Sequence, residues 1–336
     1  MIHGHGDDLY KTGKEITANF STNVWYGADS NLLQSLLNRH ADKIFHYPEP
    51  DAGSLKKALA RYHGLSPENI IIGNGATELF YLVAHAFAGA DTAIPIPSFR
   101  EYEDACRLHH HHIRYISGNA LDIPADTRLM FLCNPNNPDG NIRQEQQIRS
   151  LLEAHPDMTL VIDESFIHFA PDIQTAIPLQ KEYPRLLIIR SMTKDFAIPG
   201  LRLGYMLGNP ETIDTLVRYK QPWTINALAI EIGKELLNMA DELLPDARML
   251  LRRQQNFARQ IAQIPGFTPL SSSTTFFLVK TIFDVPRLKQ HLLENDGILI
   301  RDASNFKSLD RHYFRINTLT DEKNGRLINA LKNYVE

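Results

Sequence analysis

The chain has 336 residues, 43% of them hydrophobic and 22% charged, which is ample for a large core and, by length, for about two domains. A formal net charge of −4 excludes a whole-chain bias toward nucleic acid or acidic membranes, and no apolar run approaches the ~20 residues of a membrane helix. Cys106 and Cys133 are the only cysteines and form neither a disulfide framework nor a zinc spacing. With no signal-peptide pattern in MIHGHGDDLY, the expected location is the cytoplasm.

The N-terminal stretch is polar and irregular until SNLLQSLLNRH, from Ser30, takes helical spacing. NIIIGNG, from Asn69, predicts a strand and turn, and ATELFYLVAHAFA predicts the helix after it. TAIPIP, RLMFLCNP, TLVIDES and RLLIIRS are four more strands, apolar on both faces, so a mostly parallel α/β sheet covered by helices is expected. Several of these runs end in Asn74, Asn134, Asp163 or Ser191. Ligands in open α/β sheets gather at such carboxyl ends. From Ile225 a long helical stretch is interrupted near Pro245; FFLVKT, VPRLKQHLLEN, ILIRD, YFRINT and a last helix then suggest a smaller α+β domain. HHHH at His109–His112 reads as a solvated loop rather than a metal site, and LLRRQQNFARQ as a solvated basic helix face.

Lys194 follows an apolar strand, with Arg190 and Arg202 nearby. Neighbouring cations and desolvation lower a lysine pKa and make the amine nucleophilic, although taken alone Lys194 reads first as a surface lysine on a loop, as most lysines are. Asp163 ends another apolar strand, where a carboxylate needs a partner. It could be a helix cap, or it could face the protonated ring nitrogen of pyridoxal phosphate, which requires both a lysine for its aldehyde and such an acid. The turn GNGATE opens a helix whose free N–H groups, with the Thr77 hydroxyl, make an anion site. Asn137, in CNPNNPDG, is either a turn residue or a donor to a ring oxygen.

GNGATE, NPNNPDG, IDESF and SMTKDFAIPGLRLGY stand in the order and spacing of the fold-type-I pyridoxal-phosphate enzymes, and the chain resembles that family over nearly its whole length. The resemblance implies a large domain with a mostly parallel sheet (residues 46–235), a smaller α+β domain built from both chain ends (1–45 and 236–336), and a homodimer with shared sites. It implies that Lys194 is the Schiff-base lysine, Asp163 the pyridinium partner and Asn137 the O3′ contact. Ala76, Thr77, Ser191 and Arg202 would hold the cofactor phosphate, and Phe99 would stack on the ring. Tyr47 would reach the neighbouring subunit's cofactor, and Arg315 would grip the substrate α-carboxylate. A rim salt bridge is the other reading of Arg315, and a solvent-facing charge that of Arg301.

Two branches of the family take phosphate-bearing amino compounds. HGHGDD, NFSTN and QPWTINALA resemble the threonine-phosphate decarboxylases of cobalamin synthesis, as does Phe166 where the histidinol-phosphate aminotransferases have tyrosine. VWYGA after Asn23, and the missing asparagine in HGHGDD, depart from the decarboxylase pattern. Phenylalanine cannot donate to O3′, which leaves that task to Asn137. The resemblance further implies His5, Gly6, Asn23 and Arg301 for the substrate phosphate. Loss of CO2 is favoured when the carboxylate stands perpendicular to the cofactor ring. The expected activity is decarboxylation of threonine phosphate, with Lys194 reprotonating Cα; transamination is the alternative.

Overall fold

The computed structural model describes residues 6–7, 13–118 and 120–335. After the two-residue strand β1 (Ala18–Asn19) come β2 (Ile70–Asn74), β3 (Asp91–Ile96), β4 (His112–Ser117), β5 (Leu129–Cys133), β6 (Thr159–Asp163), β7 (Leu186–Ser191) and β8 (Leu203–Leu207). Strands β2 to β8 form one seven-stranded sheet in the order β2-β8-β7-β6-β5-β3-β4. Strands β3 to β7 are parallel, while β8 runs antiparallel to both β7 and β2. The expected parallel α/β sheet is therefore present, with two strands that apolar runs did not announce. β4 is an edge strand, exposed at His112 and Ser117. β8 is buried but contains Gly204, where a Cβ would come within 2.6 Å of the Ala76 nitrogen. The missing side chain lets the helix Gly75–Ala86 start against the sheet.

Successive side chains of a strand point to opposite faces. Leu160, Ile162 and Ile188 accordingly enter one core, and Val161, Leu187 and Ile189 the other. Burial on both faces explains the unbroken apolar runs, each such side chain contributing about 1.5–3 kcal/mol.

A second, antiparallel sheet has the order β12-β13-β10-β9. It comprises β9 (Phe267–Pro269), β10 (Phe276–Thr281), β12 (Arg301–Asp302) and β13 (Tyr313–Asn317), with β11 (Ile298–Leu299) just before β12. β1 pairs in parallel with β11, so both ends of the chain meet here. In this sheet Arg301 lies directly opposite Arg315. The long helical stretch is broken into Ala227–Asn238, Ala240–Leu243 and Ala247–Ile261, and Asp246, just after Pro245, caps the last by accepting from the Met249 N–H.

The histidine run is only in part a solvated loop: His110 is exposed in a turn. His111 is buried, its ring between Thr92 Oγ1 (2.7 Å) and the Ala84 carbonyl (2.7 Å), and His112 begins β4. The sequence did not reveal that β3 and the helix Gly75–Ala86 converge there with two oxygens. The basic helix buries Gln254 and Phe257. Among the described residues no helix is long and apolar enough to cross a membrane.

Candidate active site

A cavity of about 310 Å³ opens at the carboxyl ends of the parallel strands. One wall is the large sheet's rim: Asp163 at the end of β6, Ser191 at the end of β7, Asn137 after β5, and Ala76 and Thr77 in the first turn of the helix Gly75–Ala86. Facing it are Gly6, Asp7 and Asn23 from the N-terminal segment and Arg301 and Arg315 from the small sheet. Phe99, Phe166, Lys194 and Arg202 also line it.

Lys194 lies in the helical turn Met192–Asp195, which Ser191 caps by accepting from the Thr193 N–H. Burial first, then Arg315 and Arg202, together lower its amine from the ordinary 10.5 to about 8, against Asp7 and Asp163. Arg190 is not one of these neighbours. It lies beside Ser191 on β7 and so faces the other side of the sheet, where it is buried against Glu164 at 2.8 Å.

Asp163 is buried and accepts from the Ser165 N–H (2.9 Å) and the Tyr102 hydroxyl (2.5 Å). Burial pushes its carboxyl above the usual range despite these donors. The donors are neutral, so a cationic ring N–H from a ligand would relieve that cost. A second unmet need lies at the helix start. Gly75 has φ 73°, and a Cβ there would lie 2.5 Å from Arg202 Nη2, so the guanidinium sits directly over the turn. Burial lowers the Arg202 pKa. The Thr193 hydroxyl, in the wall of the same cavity, is buried and has no hydrogen-bond partner among the described residues. Guanidinium, hydroxyls and helix N–H groups together fit a phosphate. The residues present therefore suit a phosphorylated pyridine aldehyde.

On the opposite wall, buried Arg315 donates to Asn137 Oδ1 (2.5 Å) and the Ser21 carbonyl (2.7 Å), and among the described residues its Nε has no partner. Burial, and then Arg301, lower it from 12.5 to about 9. Because Asn137 accepts through Oδ1, its Nδ2 is left as the donor for a ligand. Arg301 donates to Asn305 Oδ1 (2.7 Å), with its guanidinium 5.3 Å from the Phe306 ring centre. Asn23 is buried, and among the described residues neither of its amide atoms has a partner. Gly6 packs so closely that a Cβ would lie 2.3 Å from the Ser21 oxygen. Phe99 packs edge-on against Tyr102, and Phe166 against Phe276 at 4.9 Å.

Two expected positions stand apart. His5 lies outside the described residues, and Tyr47 is not in the cavity wall: it is 92% exposed, 6.1 Å from the Trp223 ring. Sequence reasoning missed Asp7, Tyr102, Thr193, Asn305 and Phe306. Tyr102 could have been found, since it lies in the first turn of the helix that Phe99 precedes. The Asn305–Phe306 loop carries no such periodicity.

The family described as aminotransferase class I and II matches residues 15–331. The threonine-phosphate decarboxylase of Salmonella typhimurium is 32% identical over 94% of this chain and 90% of its own length. The histidinol-phosphate aminotransferase of Thermoanaerobacter pseudethanolicus is also 32% identical, over 85% of this chain and 83% of its own. The crystal structure of L-threonine-O-3-phosphate decarboxylase from Porphyromonas gingivalis superposes with a TM-score of 0.92 at 37% identity, covering 95% of this chain and 99% of that one. With the lysine, the buried aspartate and the anion cup converging on one cavity, the chain belongs to the aminotransferase class I and II family of fold-type-I enzymes, and its cofactor is pyridoxal 5′-phosphate.

Proposed function

We propose that the chain is a carboxy-lyase converting L-threonine O-3-phosphate to (R)-1-amino-2-propanol O-2-phosphate, a step of cobalamin synthesis. The observation that carries this reading is the cross-strand pair of Arg301 and Arg315. Like charges directly opposite each other on a sheet repel, and here both are buried at a cavity. A substrate with a carboxylate and a phosphate monoester supplies one anion to each. Phe166, and relatives named threonine-phosphate decarboxylase, favour this substrate.

When bound, pyridoxal phosphate supplies an electron sink for the bond broken at the substrate's Cα. In this reading Asp163 holds the proton on the ring nitrogen and Asn137 Nδ2 donates to O3′. Ala76, Thr77, Ser191 and Arg202 would hold the cofactor phosphate, and Phe99 would cover the ring. Phe166 offers O3′ no hydroxyl. Arg315 grips the carboxylate, and Arg301, Asn23, Gly6 and His5 grip the substrate phosphate. Two anchors would fix the orientation of the substrate's Cα, and so which of its bonds is broken. Lys194 Nζ would be the group placed to deliver a proton to Cα.

Residues 46–235 form the cofactor-binding domain in this proposal, and 1–45 with 236–336 the domain that brings the anchors. The enzyme acts as a homodimer in the cytoplasm. The exposed Ile44, Phe45, Tyr47 and Trp223 support the dimer; Tyr47 would reach the partner's cofactor phosphate. The buried, unpaired Cys106 and Cys133 suit a reducing compartment.

A second reading, histidinol-phosphate aminotransferase, has support from relatives of that name, and its substrate also carries a phosphate. The two are separated by product analysis. Threonine phosphate without a keto acid should release CO2 and leave the aldehyde form of the cofactor intact. Accumulation of pyridoxamine phosphate, or turnover only with histidinol phosphate and 2-oxoglutarate, would overturn the decarboxylase.

A further inference from the structure

A second polar assembly lies behind the wall that carries Lys194 and Asp163. Each of these residues is followed along the chain by an acid, Asp195 and Glu164, and both acids are buried away from the cavity. Arg190 donates to Glu164 Oε2 from Nη2 (2.8 Å) and Nε (3.0 Å). Glu164 is held further by the Thr175 hydroxyl (2.8 Å) and the Ala176 N–H (2.7 Å). Arg190 Nη1 lies 3.3 Å from His168 Nε2, and His168 Nδ1 lies 2.7 Å from Asp195 Oδ2. A guanidinium can only donate. His168 Nε2 therefore accepts, and the ring's proton sits on Nδ1, donated to Asp195. One continuous chain of hydrogen bonds joins the residue after Asp163 to the residue after Lys194.

We propose that the Glu164–Arg190–His168–Asp195 chain is a tie that sets the position of Lys194 Nζ relative to the Asp163 carboxylate, with His168 as its central positioning residue. The helical turn carrying Lys194 is only four residues long, and so short a turn has little stability of its own. A buried ion pair contributes little net stability against well-packed apolar groups, but it does fix registry. The inference rests on the cofactor and not on the choice of substrate.

The test uses His168→Leu, which breaks the tie, and His168→Gln, whose single amide can donate toward Asp195 and accept from Arg190. Three properties are read: the rate at which cofactor-free protein captures pyridoxal phosphate, the pH midpoint of the holoenzyme's visible absorbance, and the melting temperature. H168L should slow capture about tenfold and move the midpoint, as expected for an amine displaced by a fraction of an ångström, and H168Q should restore both toward wild type. A lower melting temperature with unchanged capture and midpoint would overturn the proposal, leaving a plain stabilising contact. So would an H168Q as impaired as H168L. If H168L does not fold, D195A breaks the last link and leaves the Glu164–Arg190 pair, and the same readings decide. None of these measurements needs a substrate, so a wrong substrate assignment would show separately, in turnover.

Discussion

At the scale of single residues, the cavity is governed by charges held away from water. The Lys194 amine loses its proton at about 8 in the folded chain against 10.5 ordinarily. Capture of the cofactor requires the neutral amine, so its rate should rise with pH through about 8 and level off above; a rate flat from pH 6 to 10 would contradict this. The same shift bears on stability. Below about 8 both states hold the proton and the folded chain carries a buried charge; between 8 and 10.5 the unfolded chain retains a proton that the folded chain has released. Lys194→Met should therefore make the cofactor-free protein more stable at pH 7, and that advantage should fade as pH rises through this window, as followed by denaturant titration. Arg315 illustrates fixed geometry. Its fork holds both Asn137 Oδ1 and the Ser21 carbonyl, and a lysine presents no such fork. R315K should lower kcat/KM on the order of 10²-fold, while the cofactor remains bound in the absorbance spectrum.

At the scale of elements, the start of the helix Gly75–Ala86 matters most. Gly75 takes the left-handed φ of 73° beneath the Arg202 guanidinium. Gly75→Ala adds backbone strain of ~1–2 kcal/mol and a methyl where the guanidinium lies, so affinity for the cofactor should fall about tenfold or more. Titration of the cofactor-free variant checks this, and unchanged affinity would remove the helix start from the anion site. The glycine turn was legible in the sequence because a single local rule describes it. β8 was not legible: its membership in the sheet depends on Gly204 fitting beneath that helix, a close approach that no window of sequence encodes. His111 escaped for the same reason, since its two oxygen partners lie 19 and 27 residues away.

At the scale of the whole molecule, the two chain ends are joined by β1 and β11, and this joint carries Asn23 and the arginine pair over the rim of the large sheet. The exposed Tyr47 and Trp223 sit on a continuous outer surface, tied by the Trp223 N–H to the Pro50 carbonyl at 2.8 Å. If Tyr47 completes a partner's site, then Tyr47→Phe and Lys194→Ala, each impaired alone, should recover activity when refolded together, because the mixed dimer contains one site with both native residues. No recovery on mixing, with differently tagged variants co-purifying to confirm mixed dimers, would place Tyr47 outside the site.

The sequence by itself determined five of the seven strands of the large sheet, that sheet's burial on both faces, and the lysine and aspartate types suited to the cofactor. These follow from periodicity and from residue chemistry, which are local. Only the tertiary structure decided which cations surround Lys194. Arg190 is four residues away in sequence yet faces the other side of β7, whereas Arg315, 121 positions downstream by its number, stands in the same cavity. Strand alternation sends neighbours along a chain to opposite faces, while sheet pairing and docking of the small sheet bring remote positions within a few ångströms. The field acting on the amine is therefore a property of the folded molecule.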